Sequence, residues 1–264
     1  MNKEHILVIG GTKGIGHVAV KMLAAAGHAV SVIARHPPES GRRVSGARYW
    51  SADVSDRADL QAALGKIVQN NGKLNHLIFF QRYRGKDNNW DGEIQTTLTG
   101  TKQAIDFATV SFDPAGASIV IVSSINAHLI TKKLPLGYHL GKAGLNQMVR
   151  YYAATLGPRQ IRVNSVSPAT VLKEESKSFF IGNPGLMRVY KKMVPLGRMG
   201  TAEEVVKAVL FLCSDNASFI TGQDIVVDGG ISLLYQEALV REMLPSPKRP
   251  RKKISRPSSK KSKS

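Results

Sequence analysis

A doubly wound α/β fold, a parallel sheet with helices packed on both faces, is what this sequence predicts, and three observations predict it. From residue 4 to about residue 230, short apolar β-branched runs alternate with longer amphipathic segments. The short runs are apolar throughout, as in strands buried on both faces. No internal repeat divides the alternation.

The elements follow in order. HILVIG at 5–10 predicts the first strand and runs straight into a glycine-rich loop, with a helix over 14–26 behind it. VSVIAR at 30–35 and RYWSAD at 48–53 predict the next two strands, and the second of these leads to a helix over 57–70. HLIFF at 76–80 is a fourth strand, followed by a helix over roughly 91–109. SIVIVSS at 118–124 precedes a helix over 138–156, and IRVNSV at 161–166 precedes a long connection and a helix over 202–213. DIVV at 224–227 closes the series. In such a fold, ligands sit outside the carboxyl ends of the strands where the winding reverses. Function is therefore sought at 10–16, 35–36, 53–54, 79–85, 123–130 and 167–200.

A chain of 264 residues with 42% hydrophobic content can bury one large core. It contains no run of about 18 apolar residues, and its first strand begins within about five residues of the start. A soluble, cytoplasmic protein without a signal peptide or membrane span is expected. The lone Cys213 lies on an apolar helical stretch and is expected to be a buried structural thiol. The seven histidines lack paired ligand spacing, so no metal site is expected. The formal charge is +18, and half of it comes from the nine Lys and Arg of residues 246–264, which include no acid. A stretch of Lys, Arg, Ser and Pro cannot bury enough apolar area to fold. Residues 1–244 are thus expected to form the folded domain and 245–264 a disordered basic tail, either a solubilising extension or an arm making nonspecific polyanion contact through counterion release.

The loop Gly10-Gly11-Thr12-Lys13-Gly14-Ile15-Gly16 between first strand and first helix has the form of an anion cradle. Its glycines permit the turn, the approach of a pyrophosphate and close helix–strand packing, while the helix start offers amide donors. The spacing Gly10, Gly14-Ile15-Gly16 is shared with the short-chain dehydrogenase/reductase family, with Ile9 where that family has threonine. The likeness continues through Asp53-Val54, Ser124, Tyr138 and Lys142, RVNSVSP at 162–168, PLGRMGTAEEV, and FLCSDNASFITGQDIVVDGG ending at Gly230. The chain resembles that family over about residues 4–230. The resemblance implies a Rossmann fold, a nicotinamide cofactor, a small-molecule carbonyl or alcohol substrate, and a homo-oligomer, by family habit a tetramer. It places Asp53 and Val54 near the adenine.

Charge selects the cofactor. An acid ending the second strand would repel a 2′-phosphate, whereas this chain has Arg35 there and Lys13 in the glycine loop, so NADP(H) is expected rather than NAD(H). Carbonyl reduction needs a proton donor, and a tyrosine with an ordinary pKa near ~10 needs a nearby cation to ionise readily. Tyr138 and Lys142, four residues apart, share one helix face. By resemblance, Ser124 donates to the substrate oxygen, Tyr138 is the acid/base, and Lys142 favours the phenolate and holds the nicotinamide ribose; Ser123 is the alternative serine. His139 lies about 100° around the helix from Tyr138 and is expected to be structural.

Three positions depart from the family pattern. Phe79-Phe80-Gln81-Arg82 stands where Asn-Asn-Ala-Gly is usual, Thr97 where an asparagine anchors a relay water, and Pro168-Ala169 where Pro-Gly borders the nicotinamide. An oxidoreductase is the main expectation; a weakly active regulatory protein and a non-redox isomerase or dehydratase stay open. By resemblance, residues 173–193 would form the substrate lid, and their apolar and basic side chains suit an apolar or amphipathic substrate bearing an acidic group.

Overall fold

The computed structural model describes residues 3–85 and 89–244, without the side chains of Glu242 and Met243. The tail expected at 245–264 lies outside the described residues. The strands are β1 (His5–Ile9), β2 (Ala29–Ala34), β3 (Ala47–Ser51), β4 (His76–Phe79), β5 (Ala117–Val122), β6 (Ile161–Pro168), β7 (Val171–Leu172), β8 (Gly200–Thr201) and β9 (Asp224–Val227). The helices are α1 (Gly14–Ala25), α2 (Arg57–Asn71), α3 (Trp90–Ile94), α4 (Gly100–Ala108), α5 (Leu136–Leu156), α6 (Glu174–Ile181), α7 (Pro184–Met193), α8 (Ala202–Cys213) and α9 (Gln236–Met243).

Seven strands form one parallel sheet in the order β3-β2-β1-β4-β5-β6-β9, the doubly wound arrangement that the alternation predicts. Successive side chains of a strand point to opposite faces, and β1 shows the consequence. Leu7 and Ile9 join one core with Leu60, Ile67, Ile105 and Val149 from α2, α4 and α5. Ile6 and Val8 join the other with Val20, Val205 and Val209 from α1 and α8. Each such fully buried aliphatic side chain contributes roughly 1.5–3 kcal/mol. Cys213, the last residue of α8, is buried, and burial pushes its thiol up to about 12, as befits a structural residue.

Local chemistry sets several boundaries. Asp56 accepts hydrogen bonds from the amides of Ala58 (2.9 Å) and Asp59 (3.0 Å) and so starts α2. Thr201 and Glu204 form a reciprocal capping box at the start of α8. The helix expected over roughly 91–109 is not continuous: a π-helical turn at Gln95–Thr99 separates α3 from α4. Inside it, the carbonyl of Thr97 accepts from the Thr101 hydroxyl at 2.6 Å, which competes with the regular helical ladder. Wide turns of this kind recur beside functional sites.

The chain divides into two compact units, Met1–Ser232 and Leu233–Ser264. Within the second, α9 carries an ion pair between Glu237 and Arg241 one turn apart. Among the described residues, no helix is long and apolar enough to cross a membrane.

Candidate active site

The winding reverses between β1 and β4, and the glycine loop opens there. Gly10 sits at φ +86°, and a Cβ on it would lie 2.5 Å from the Gln81 amide nitrogen. A Cβ on Gly16 would lie 2.3 Å from the Gly10 carbonyl oxygen. Only glycine lets α1 begin this close to β1 and lets the loop after β4 lie against it. The Gly14 amide, the natural donor for a cofactor phosphate, is already engaged: it donates to Glu175 Oε1 at 2.6 Å from the first turn of α6.

Two cavities extend from this loop. One of about 240 Å³ is lined by Gly10, Thr12, Lys13, Arg35, Asp53 and Val54. The other, about 490 Å³, is lined by Lys13, Gly14, Ile15, Gly16, Ser124, Tyr138 and Lys142, among others. They share Lys13, Phe80, Gln81, Arg82 and Arg84 as walls. Every residue expected to bind the cofactor or to act in catalysis therefore lines one of these two adjoining cavities at the strand ends. Arg35 lies 3.9 Å from Asp53, whose carboxylate also accepts from the Ser55 amide (2.9 Å) and hydroxyl (2.6 Å). Partial burial opposes the Asp53 charge, yet these bonds and Arg35 hold it below the ordinary carboxylate range. A dinucleotide fits this donor set: four cations and an acid in the smaller cavity, amide donors at the helix start, and polar groups in the larger cavity. Its pyrophosphate would have to take the Gly14 amide from Glu175.

In the larger cavity, the two serines differ. Ser123 is buried, and its hydroxyl donates to the Lys142 carbonyl at 3.1 Å. Ser124 accepts from the Asn126 amide at 3.2 Å, which leaves its own hydroxyl proton available. Tyr138 is half-buried on the first turn of α5. Lys142, 4% exposed, donates to the Val122 carbonyl at 3.0 Å and lies 5.9 Å from the centre of the Tyr138 ring. Burial lowers its pKa to about 8; Glu93 opposes that shift, and Arg82 adds to it. His139 points its ring nitrogens at the carbonyls of Asn126 (3.0 Å) and Thr131 (3.3 Å), a structural tie as expected.

Two acids in the site are not evident from the sequence, and a basic group that the sequence does show, Arg82 and Arg84, gains a partner in Lys173. Glu93 is 6% exposed, lines the larger cavity and accepts from the Thr97 hydroxyl at 3.3 Å. It sits on the same helical stripe as the buried Thr97, Thr101 and Ala108, a pattern that marks an acid on a core face. Glu175 gives no such local signal, because it meets a partner 161 residues away. Arg82, Arg84 and Lys173 together form a cationic wall; burial and then the two arginines hold Lys173 below the ordinary amine value. An apolar chamber of about 320 Å³, bounded by α7, meets the larger cavity at Ile125, Ala169 and Thr170.

A doubly wound sheet with a glycine cradle and a Ser, Tyr and Lys constellation at its switch point defines a nicotinamide-dependent oxidoreductase. Residues 10–232 match the family model described as enoyl-(acyl carrier protein) reductase. The chain belongs to the short-chain dehydrogenase/reductase family and is an NAD(P)-dependent enzyme of that family. It is 32% identical over 245 residues to trans-4-hydroxycyclohexanecarboxylate dehydrogenase of Sinomonas cyclohexanicum, across 85% of this chain and 91% of the relative. It is 31% identical over 237 residues to an uncharacterized oxidoreductase of Schizosaccharomyces pombe, across 86% and 90% of the two chains. Among solved structures, the aldohexose dehydrogenase of Thermoplasma acidophilum superposes with a TM-score of 0.79 at 25% identity, covering 89% of this chain and 96% of that one.

Proposed function

We propose that this chain interconverts a carbonyl and the corresponding secondary alcohol with NADP(H), using Tyr138 as acid/base. The observation that carries the proposal is the convergence of Ser124, Tyr138 and Lys142 on one cavity wall beside the glycine loop, with the Lys142 ammonium near the phenol ring. A nicotinamide bound in the groove supplies or accepts the hydride. In reduction, the Tyr138 hydroxyl gives its proton to the substrate oxygen, and in oxidation it takes that proton back. The Ser124 hydroxyl donates to the same oxygen and orients it. Lys142 supplies positive charge beside the phenol and is the group for the ribose hydroxyls.

NADP(H) is supported by Lys13 and Arg35 in the smaller cavity and by the adjoining surface groove, where Lys21, Arg42 and Arg43 outnumber Glu39. The cationic wall and the apolar chamber support an amphipathic substrate with an acidic group. A relative whose name denotes a ring alcohol bearing a carboxylate agrees with that class. Exposed Leu136, Leu140 and Tyr151 on α5 support a homo-oligomer, tetrameric by the family's habit, which light scattering would test.

The deciding experiment titrates NADPH and NADH and then measures turnover on cyclic ketones and secondary alcohols with and without a carboxylate. Tighter NADPH binding and faster turnover of the carboxylated members are expected. Tyr138→Phe should lose turnover while binding NADPH as before; retained turnover would remove Tyr138 from the chemistry, and preferred NADH binding would remove the assignment of cofactor.

A further inference from the structure

Lys142 shares its cavity with a second buried ion-forming group. Glu93 reaches that cavity from α3, and its Cβ and Cγ lie 3.3 and 3.4 Å from where a Cβ on Gly137 would sit. The absence of a side chain at Gly137 thus seats Glu93 against the first turn of α5, next to Tyr138. On its other side, the Thr97 hydroxyl donates to Glu93 Oε1. Among the described residues, the hydrogen-bond partner found for the Lys142 ammonium is the Val122 carbonyl, which leaves donor capacity unused. Among the described residues, Arg82, from the loop after β4, acts on both groups, Tyr138 of α5 adjoins them, and Lys13, Arg84 and Lys173 line the same cavity. A lone ammonium and a lone carboxyl are each unfavourable out of water, and a compensating pair is less so.

We propose that Glu93 is a positioning residue for the reaction, a buried counter-ion in the same cavity that keeps Lys142 charged beside the ring of Tyr138. The inference rests on the reading of Lys142 as a participant in turnover. It assigns a role to a residue outside the Ser124, Tyr138 and Lys142 constellation. Without Glu93, burial and the Arg82 charge would both act against the ammonium, with no carboxylate opposing them. Burial also raises Glu93 above the ordinary carboxylate value, while the Thr97 bond, Lys142 and Arg82 oppose that rise. Both groups are predominantly charged above this raised carboxyl value and below about 8, the midpoint at which Lys142 loses its proton.

The test compares wild type, Glu93→Gln and Glu93→Asp as full chains. One measurement is the pH profile of kcat/KM with NADPH. The other is an NMR titration of the Lys142 side-chain signal in protein carrying ¹³C-labelled lysine, assigned by its loss in Lys142→Arg. NADPH affinity and the melting temperature confirm that each variant folds. In Glu93→Gln, both the alkaline limb of the profile and the Lys142 titration should move to lower pH by about one unit. Glu93→Asp should stay near wild type, an outcome that a purely packing role would not produce. An unmoved Lys142 titration in a folded Glu93→Gln protein overturns the proposal. A moved titration with an unmoved kcat/KM profile instead overturns the participation of Lys142 in turnover, and with it any role of Glu93 in the reaction.

Discussion

The contact between Glu175 and Gly14 predicts that the enzyme binds its cofactor more weakly than its glycine loop allows. The Glu175 carboxylate takes the Gly14 amide at 2.6 Å, and a pyrophosphate seated on the start of α1 needs that same donor. Burial opposes the Glu175 charge, but amide bonds from its own backbone and Gly14, with Lys173 and Arg84 nearby, hold its pKa below the ordinary value. The carboxylate is therefore ionised at neutral pH and must be displaced on binding. A buried charge-assisted hydrogen bond is worth roughly 1.5–3 kcal/mol, but this side chain lies at an exposed position, so about 1 kcal/mol is the appropriate figure. That corresponds to about fivefold in Kd. Glu175→Ala should tighten NADPH binding by about that factor, and Glu175→Gln, which keeps the size and loses the charge, should move in the same direction. Fluorescence titration at fixed ionic strength reads the effect. The gap should narrow only at pH below the ordinary carboxylate range, where the wild-type side chain also becomes neutral. Unchanged or weaker binding in both variants would refute the competition.

Other consequences follow from the same geometry. Neutral replacements at Lys13 and Arg35 should weaken NADPH and leave NADH nearly unchanged, by about 1 kcal/mol per charge since both are exposed; equal losses for the two cofactors would defeat the NADP(H) assignment. Gly16→Ala places a Cβ 2.3 Å from a backbone oxygen that has little room to yield, so the loop must open. A loss of about 1–3 kcal/mol in stability and of cofactor binding is expected, read by thermal melting and titration. At α8, hydrogen bonds from Arg198 and then from the Thr201 amide hold Glu204 down at about 2, against an ordinary 4.5. Because the folded value is depressed, this contribution is complete above the ordinary value and is lost as pH falls toward 2. Thr201→Ala should lower Tm by about 3 °C at neutral pH, for a cap worth about 1 kcal/mol. The melting gap between wild type and Glu204→Gln should close on acidification, and a gap that persists at low pH would contradict the assignment.

The sheet was legible because its strands are covered on both faces and therefore read as continuous apolar runs, such as HILVI and ASIVIV. The glycine loop and the Tyr138 and Lys142 pair were legible because their chemistry is local: a turn in one case, one helical turn of spacing in the other. The choice between Ser123 and Ser124 was not, since it depends on the Ser123 hydroxyl meeting a carbonyl 19 residues further along the chain. The break between α3 and α4 was hidden for a related reason. Helical periodicity is nearly the same on either side of a single wide turn, and the bond from Thr101 to Thr97 looks like ordinary helical spacing in the sequence. Helices α6 and α7 carry apolar and basic residues suited to a lid, but the tie from Glu175 to Gly14 exists only after folding.

The three departures from the family pattern are connected in the folded chain. Gln81, from the loop after β4, donates to the Thr101 hydroxyl at 2.7 Å, and Thr101 in turn donates to the Thr97 carbonyl. Thr97 donates its own hydroxyl to Glu93. The bulky basic loop is thus linked through two threonines to the helix that carries the buried acid. Arg82, from the same loop, acts against the Lys142 charge, and Glu93 acts for it. A cation introduced at the wall of the site would, alone, make the ammonium harder to maintain in a buried cavity. With a carboxyl in the same cavity, the effect of Arg82 on Lys142 is opposed while the wall stays cationic. Ala169 belongs to the same arrangement in space: it lines both the polar cavity and the apolar chamber, where its methyl group adds apolar surface at their junction. The loop, the threonine and the acid are therefore best treated as one unit. Restoring asparagine at position 97 alone would remove the Thr97 hydroxyl from Glu93 while leaving Arg82 in place, so it should impair turnover, and pairing it with Arg82→Gly should recover part of the loss.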